Sequence, residues 1–570
     1  MSDVGRSSPA VGASSGKHFR VIFNDDFDSH AEFNEEIFEL WARTGITTYS
    51  LCIGADVANY PSTTRTTFAE NLRKAQDAGR LEGEHARYWY EFLVAEEKDP
   101  LAMAVEYCRK RGIEVWASLR MNDIHHGEDP DAPSLSLLVS SFWRKHPEFR
   151  AKGWEHPPSS PNERYPEFHG RGWDSRAWAS YSFEHPEVRQ RCLDTVREVA
   201  ELYDIDAFDL DYSRMPPFFD RGRGYECRDH MTALVRDAKH ILDEVSAKKG
   251  KRILLAACVR STITKNESVG LDVVRWIEEG LVDILMPCQD AGCGTDIPVE
   301  QFVEPAHAKG IQVCPSFDNV AWPGATANIY AGALPLRASV LRAYKGGADG
   351  VQLYNYFAIN EIGHFETQLC YEGFWRELGD IKALEGKDAF YIFTQGLPVY
   401  LTGGIPQENL EAGLRGQYWI RLALDHRVPP PAPGRQETGQ SSYRFYVAHD
   451  VEKARAEGWL RQQRLSFSIV HAGVEDDIRF RLNEEPVAPE AIDTIYRSTE
   501  PLPAYGFLPP YTHYEIDLSK VGDLRNGWNT LWIDAIRLTD AGAVNERFRG
   551  LDAAFYQPTL LLIFRGPNMY

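Results

Sequence analysis

Between residue 18 and about residue 360 the chain alternates eight short apolar runs with seven helical patterns. The runs are Phe19–Phe23, Thr47–Ile53, Ile113–Arg120, Ala207–Asp211, Ile253–Arg260, Val282–Pro287, Ile311–Ser316 and Gly350–Tyr354. They are rich in Val, Ile, Leu, Phe and Tyr, and most lack strict alternation, as parallel strands covered by helices do. Helical patterns fill the gaps at Asn34–Arg43, Pro100–Arg111, Pro186–Leu202, Glu226–Ala247, Ser268–Glu279, Pro298–Lys309 and Leu336–Lys345. Asp99 before Pro100 is a helix start. Gly45, Gly112, Gly280 and Gly310 each follow a helical pattern and precede an apolar residue. That is a left-handed helix stop leading directly into a strand. Short turns into each strand and longer loops out of it predict an α/β fold, a (β/α)8 TIM barrel over residues 18–385. An open doubly wound sheet would need two protected edges, and none of these runs is built as one.

Past residue 385 the helical periods stop. Gln417–Leu424, Tyr443–Val447, Leu465–Val470, Ile478–Leu482, His513–Leu518, Thr530–Ile536 and Leu560–Phe564 read as strands. They predict a C-terminal β-sandwich over residues 386–570, an accessory domain with a Pro-rich loop at 425–441. Residues 1–17 are Ser- and Gly-rich, lack the apolar stretch of a signal peptide, and read as a disordered arm.

Charge narrows the partners. The 570 residues carry a formal net charge of −21, a field that repels nucleic acid and anionic membrane. No apolar run reaches the ~20 residues of a membrane span. The nine cysteines are scattered, and Cys288 and Cys293 lack a second pair to complete a zinc site. We expect reduced thiols, a cytoplasmic location, no cofactor and no metal. A homo-oligomer is compatible with this sequence.

In a barrel, side chains at the C-terminal ends of the strands converge on one site. Here those ends are polar almost everywhere. They offer Asp26, Arg120, Asn122, Asp123 and His125, then Asp209, Asp211 and Arg214, then Arg260, Gln289 and Asp290, then Asp318, Trp322, Gln352 and Tyr354. Asp209 and Asp211 are two apart on one strand and share a face, with Phe208 and Leu210 on the other. Two acids facing into a barrel are costly unless paired. An ion pair of Asp209 with Arg120 or Arg260 is the plain structural expectation.

The fourth-strand segment resembles the pattern D-G-[apolar]-x-[apolar]-D-Y-x-R-x-P of family 10-like glycosidases. Asp206, Phe208, Leu210, Asp211, Tyr212, Arg214 and Pro216 match, and Ala207 stands for the Gly. The stretch is also similar to the chitinase pattern D-G-x-D-x-D-x-E through Asp206, Asp209 and Asp211, with Ser213 where the catalytic Glu would be. The resemblance covers roughly residues 18–390 and implies a glycoside hydrolase acting on an oligo- or polysaccharide.

Such chemistry uses two carboxyl groups. Asp211 is expected as nucleophile or base, and Asp290, Asp318 or Asp123 as acid, Asp290 first. Arg120, Arg214 and Arg260 against Asp209 and Asp211 leave one positive charge over, which would suit an acidic sugar. Trp143, Trp154, Trp173, Trp178 and Trp322 are rings for sugar stacking or the core of long loops. His125 and its neighbour His126 face different ways, so one of them at most serves the site. Two rivals stand beside this reading. A carbohydrate-binding pseudoenzyme is motivated by Ser213. A metal-dependent barrel hydrolase lacks its His-x-His at the end of strand one.

Overall fold

The computed structural model describes residues 19–26, 32–123, 137–153, 179–214, 217–288, 293–321, 329–330, 332–356, 374–393, 420–421, 441–470, 472–473, 475–497, 500–502, 506–508, 511–537 and 554–564. Barrel strands β1–β6 are Arg20–Asp25, Thr48–Gly54, Glu114–Arg120, Ala207–Asp211, Leu254–Arg260 and Ile284–Cys288. β7 comes in two pieces, Gln312–Val313 and Ser316–Asp318, and β8 is Gly350–Tyr354. All pair in parallel. β8 joins β1, and β5 joins β6, so the sheet closes without an edge. Pro315 has no N–H to give the ladder and splits β7.

The expected helix stops are present. Gly45, Gly112, Gly280 and Gly310 have φ of 81°, 69°, 65° and 73°. The helical pattern at Ser268–Glu279 is two helices instead, Ile263–Ser268 and Val273–Glu279. Gly270, with φ of 87°, turns the chain between them.

Each strand splits its side chains between two cores. Phe23, Tyr49, Leu51, Val115, Phe208, Leu210, Leu255, Leu285, Val313 and Leu353 pack against the outer helices. Ile22, Trp116, Ala207, Ala256, Ile284 and Cys314 fill the barrel interior. Two inward steps further along their strands, Ile22, Trp116, Ala207, Ala256 and Cys314 give way to Asp26, Arg120, Asp211, Arg260 and Asp318. The interior therefore grades from apolar at the base to charged at the mouth.

The loop after β2 is fastened to the helix Pro186–Leu202 by one carboxylate. Glu198 accepts from Tyr60 Oη at 2.8 Å, Ser62 Oγ at 2.6 Å, Thr63 N at 2.7 Å, Thr63 Oγ1 at 2.6 Å and Thr64 Oγ1 at 3.0 Å. Burial pushes this carboxyl up, but the donors outweigh it and bring it down to about 2. A depressed carboxyl stabilises the fold above its unfolded value, and that contribution is lost as pH falls toward 2. Glu198→Gln is expected to cost about 2–3 kcal/mol at pH 7 and no more than about 1 kcal/mol near pH 2.5, read by chemical denaturation at both pH values.

The C-terminal region forms two antiparallel sheets. One runs Ala389–Ile392, Ala554–Phe564, Leu460–Val470, Tyr511–Asp517, Ile492–Arg497. The other runs Ser441–Val447, Gly527–Arg537, Asp477–Leu482, Glu485–Pro486. Phe480 of the second meets Phe467 and Tyr514 of the first at ring distances of 5.2 and 5.0 Å, which makes the pair a sandwich. Of the expected strand Gln417–Leu424, the described part is Ile420–Arg421. The sandwich touches the barrel where Thr295 N donates to Ile392 O at 2.8 Å. Arg342 of the helix Ala333–Lys345 also lies 4.3 Å over the ring of Tyr446. No helix among the described residues is long and apolar enough to cross a membrane.

Candidate active site

Asp211 ends β4 and is 1% exposed. Its Oδ1 accepts from the backbone N of Ser213 at 2.8 Å and from the Ser213 hydroxyl. Its Oδ2 accepts from the Tyr354 hydroxyl at 2.9 Å. Ser213, which stands where the chitinase pattern has Glu, is thus a donor that fixes the neighbouring aspartate.

Tyr354 links Asp211 to the far side of the mouth. Its hydroxyl accepts from Arg214 Nε at 3.1 Å, and Arg214 Nη2 donates to Asn355 Oδ1 at 3.0 Å. Asn355 Nδ2 donates in turn to Asp318 Oδ2 at 2.9 Å. Asn355 holds a left-handed backbone, φ 59°, which turns its amide back toward β7. One hydrogen-bonded chain therefore joins the carboxyl groups of Asp211 and Asp318.

Among the described residues, the expected ion pair of Asp209 with an arginine does not form. Arg120 Nη2 instead grips both oxygens of Asp26, at 2.9 and 2.7 Å, and its Nη1 reaches Asp123 at 3.4 Å. Arg260 Nη1 donates to the Ser213 carbonyl at 2.8 Å and so props the turn that holds Asp211. Asp209 is 1% exposed, and its Oδ2 accepts from Ser118 Oγ at 2.8 Å. Burial first, then the charge of Asp211, pushes its carboxyl up to about 8. Arg120 reaches across to β1 because Asp26 and Arg120 occupy the same inward layer of alternate strands.

Two other expectations move as well, and Trp143 takes the loop-core alternative. Asn122 is a loop tie: its amide bonds Tyr181 O, Pro217 O and Tyr181 N at 3.1, 2.6 and 3.0 Å. Gln352 is fully buried below the mouth, where Oε1 faces Cys258 Sγ at 3.8 Å. Trp143 is core, with its indole N–H on Ala179 O at 2.8 Å and Arg150 stacked 3.6 Å from its ring. Asp206, the first acid of the family pattern, sits at the opposite end of β4, where it meets Arg109 at 2.8 Å. His125, His126, Gln289, Asp290, Trp154, Trp173, Trp178 and Trp322 lie outside the described residues.

The mouth also contains groups that sequence reasoning passed over. Lys265, on the short helix after β5, donates to Ser261 Oγ at 3.1 Å. It interacts electrostatically with Arg260, with Asp296 of the loop after β6, and with Cys288. Nothing in the sequence ties positions 265 and 296, because closure of β5 onto β6 brings their loops together. With Lys265 counted, four cations (Arg120, Arg214, Arg260 and Lys265) face five carboxyl groups (Asp26, Asp123, Asp211, Asp296 and Asp318), leaving Asp209 aside. The expected cationic surplus is therefore not found among the described residues.

No protein-family model matches this chain, and no curated protein matches it in sequence. Solved structures do. An α-L-fucosidase isoenzyme 2 from Paenibacillus thiaminolyticus matches at 12% identity and a TM-score of 0.36, over 64% of this chain and 49% of its own. This chain thus spans about half the length of that enzyme. A family 18 N-acetylglucosaminidase from Paenibacillus barengoltzii matches at 11% identity and a TM-score of 0.33, over 63% of this chain and 99% of its own. A family 36 α-galactosidase from Geobacillus stearothermophilus matches at 12% identity and a TM-score of 0.31, over 97% of this chain and 56% of its own. At these identities and scores the likeness says nothing of what this chain acts on.

Proposed function

We propose that the protein is a glycoside hydrolase that cleaves an oligo- or polysaccharide at the barrel mouth, with Asp211 as nucleophile or base. The observation that carries this reading is the linked pair of carboxyl groups, Asp211 and Asp318, joined through Tyr354, Arg214 and Asn355. Two carboxyl groups in one polar mouth are what glycoside cleavage needs: one protonates the leaving oxygen, the other attacks or activates water. In this reading Asp318 is the acid within the described site, and Asp290 is the competing acid from the loop after β6. The sandwich is an accessory domain, and the site needs no cofactor. Incubating the protein with a panel of neutral and acidic glycans and measuring new reducing ends tests the proposal.

The charge count favours a neutral glycan over an acidic one. Arg214→Met is expected to lower kcat/KM on matched neutral and acidic substrates alike, by about 10-fold, because the arginine acts by holding Tyr354 and Asn355. A loss confined to the acidic substrate would restore the acidic-sugar reading.

A second reading has its own observation. Asp211 is almost fully buried, three donors already engage it, and Ser213 replaces the Glu of the chitinase pattern. A barrel of this kind that has lost its acid would bind a glycan without cutting it.

A further inference from the structure

We propose that the protein forms a symmetric dimer in which the sandwich strand Ile492–Arg497 pairs antiparallel with the same strand of a second copy, about a twofold axis at Ile495. This strand is the last of its sheet and bonds to Tyr511–Asp517 on one side. The outer N–H and C=O groups of such an edge can template another strand, and proteins usually blunt it with a proline, a bulge or an inward charge. None of these is present here. The sequence IDTIYR has no Pro or Gly, and its six residues pair with Tyr511–Ile516 without a bulge. The residues on the inner face are Ile492, Thr494 and Tyr496, none of them charged. Ile495 is 50% exposed and Tyr496 39% exposed.

The two charges of the strand, Asp493 and Arg497, point to the occupant. Within its own sheet Asp493 stands opposite Glu515, a like charge, and directly opposed like charges destabilise a sheet. Arg464 is already paired with that Glu515. Arg497 stands opposite Tyr511 and near His513, whose imidazole is held below its usual range by burial and then by this arginine. Among the described residues neither Asp493 nor Arg497 makes an ion pair or a side-chain hydrogen bond. The edge therefore exposes one acid and one base that its own chain leaves unmatched.

A second copy matches both. In an antiparallel pair centred on Ile495, Asp493 of each copy faces Arg497 of the other, so the twofold makes the contact twice. Directly opposed residues of antiparallel strands share a face, which brings the opposite charges side by side. Ile495 then meets its own counterpart between the two ion pairs, and Thr494 meets Tyr496 on the other face. A slip of two residues would set Asp493 against Ile495 and lose both ion pairs, so the charges also fix the register. An unrelated strand could share the backbone hydrogen bonds but would not supply this match. The contact is isologous and closed, so assembly stops at two copies.

The pairing uses the sandwich and none of the mouth residues, so the glycosidase reading stands whether or not it forms. A contact one strand wide is small, and the dissociation constant is expected near about 10 µM. Sedimentation velocity of the full chain from about 1 to about 200 µM at low salt measures it. Asp493→Arg turns both cross-copy attractions into repulsions and should weaken the dimer at least about 10-fold. The new arginine would face Glu515, so the fold itself is not put at risk. Arg497→Asp should weaken the dimer in the same way, and the double variant Asp493→Arg with Arg497→Asp should restore it. A wild type that stays monomeric throughout would overturn the proposal. So would a dimer that either single variant leaves intact, or a double variant that stays dissociated.

Discussion

Asp211→Asn is expected to lower turnover of a cleaved glycan about 10³- to 10⁴-fold while the fold stays intact. Asparagine keeps the shape of the side chain but has neither the charge of a nucleophile nor the basicity of a proton acceptor. Its Oδ1 can still accept from Ser213 N and the Ser213 hydroxyl, so the turn after β4 keeps its anchor. Its Nδ2 meets the Tyr354 hydroxyl, which already accepts from Arg214 and can turn its proton away. The cost to stability should therefore stay near about 1 kcal/mol. Initial rates together with thermal unfolding of both proteins check this. Activity within about tenfold of wild type would make Asp211 a structural residue.

The second large effect is on stability as pH rises. Burial and the neighbouring Asp211 push the Asp209 carboxyl up to about 8 in the folded protein. The unfolded chain ionises it near pH 4. Between these values the folded state binds the extra proton, so stability falls as pH rises. Over pH 5 to 8 this group alone is expected to remove roughly 2–4 kcal/mol. Asp209→Asn cannot ionise, so it should gain on the wild type steadily across that window, apart from a constant offset. Denaturation midpoints at pH 5, 6.5 and 8 measure the difference, which cancels the titrations the two proteins share. Parallel curves would mean that Asp209 is already ionised at pH 5.

The barrel was legible because its signals are local. A glycine with positive φ marks the helix end at Gly45, Gly112, Gly280 and Gly310, and each can be read from three residues. The grading of the interior was legible too, since a parallel strand alternates its faces and the change from Trp116 to Arg120 lies within one strand. The partners of these groups were not legible. Arg120 takes Asp26 and Asp123, leaving Asp209 to Ser118, its register partner on the neighbouring strand. Position along the chain carries no record of which inward groups come to lie side by side. Lys265 and Asp296 were missed for a related reason, since each is an unremarkable loop residue until β5 pairs with β6. The break in β7 was readable in principle from Pro315, whose missing N–H interrupts a strand that its flanking apolar residues suggest is continuous.

One carboxylate at the end of β4 is expected to separate binding from cutting. This is tested most directly by measuring both on one glycan: binding by calorimetry and cleavage by new reducing ends, for wild type and Asp211→Asn. The two proteins are expected to bind within about threefold of each other, and only the wild type to cut. Equal binding with no cleavage by the wild type would contradict it and leave a carbohydrate-binding barrel.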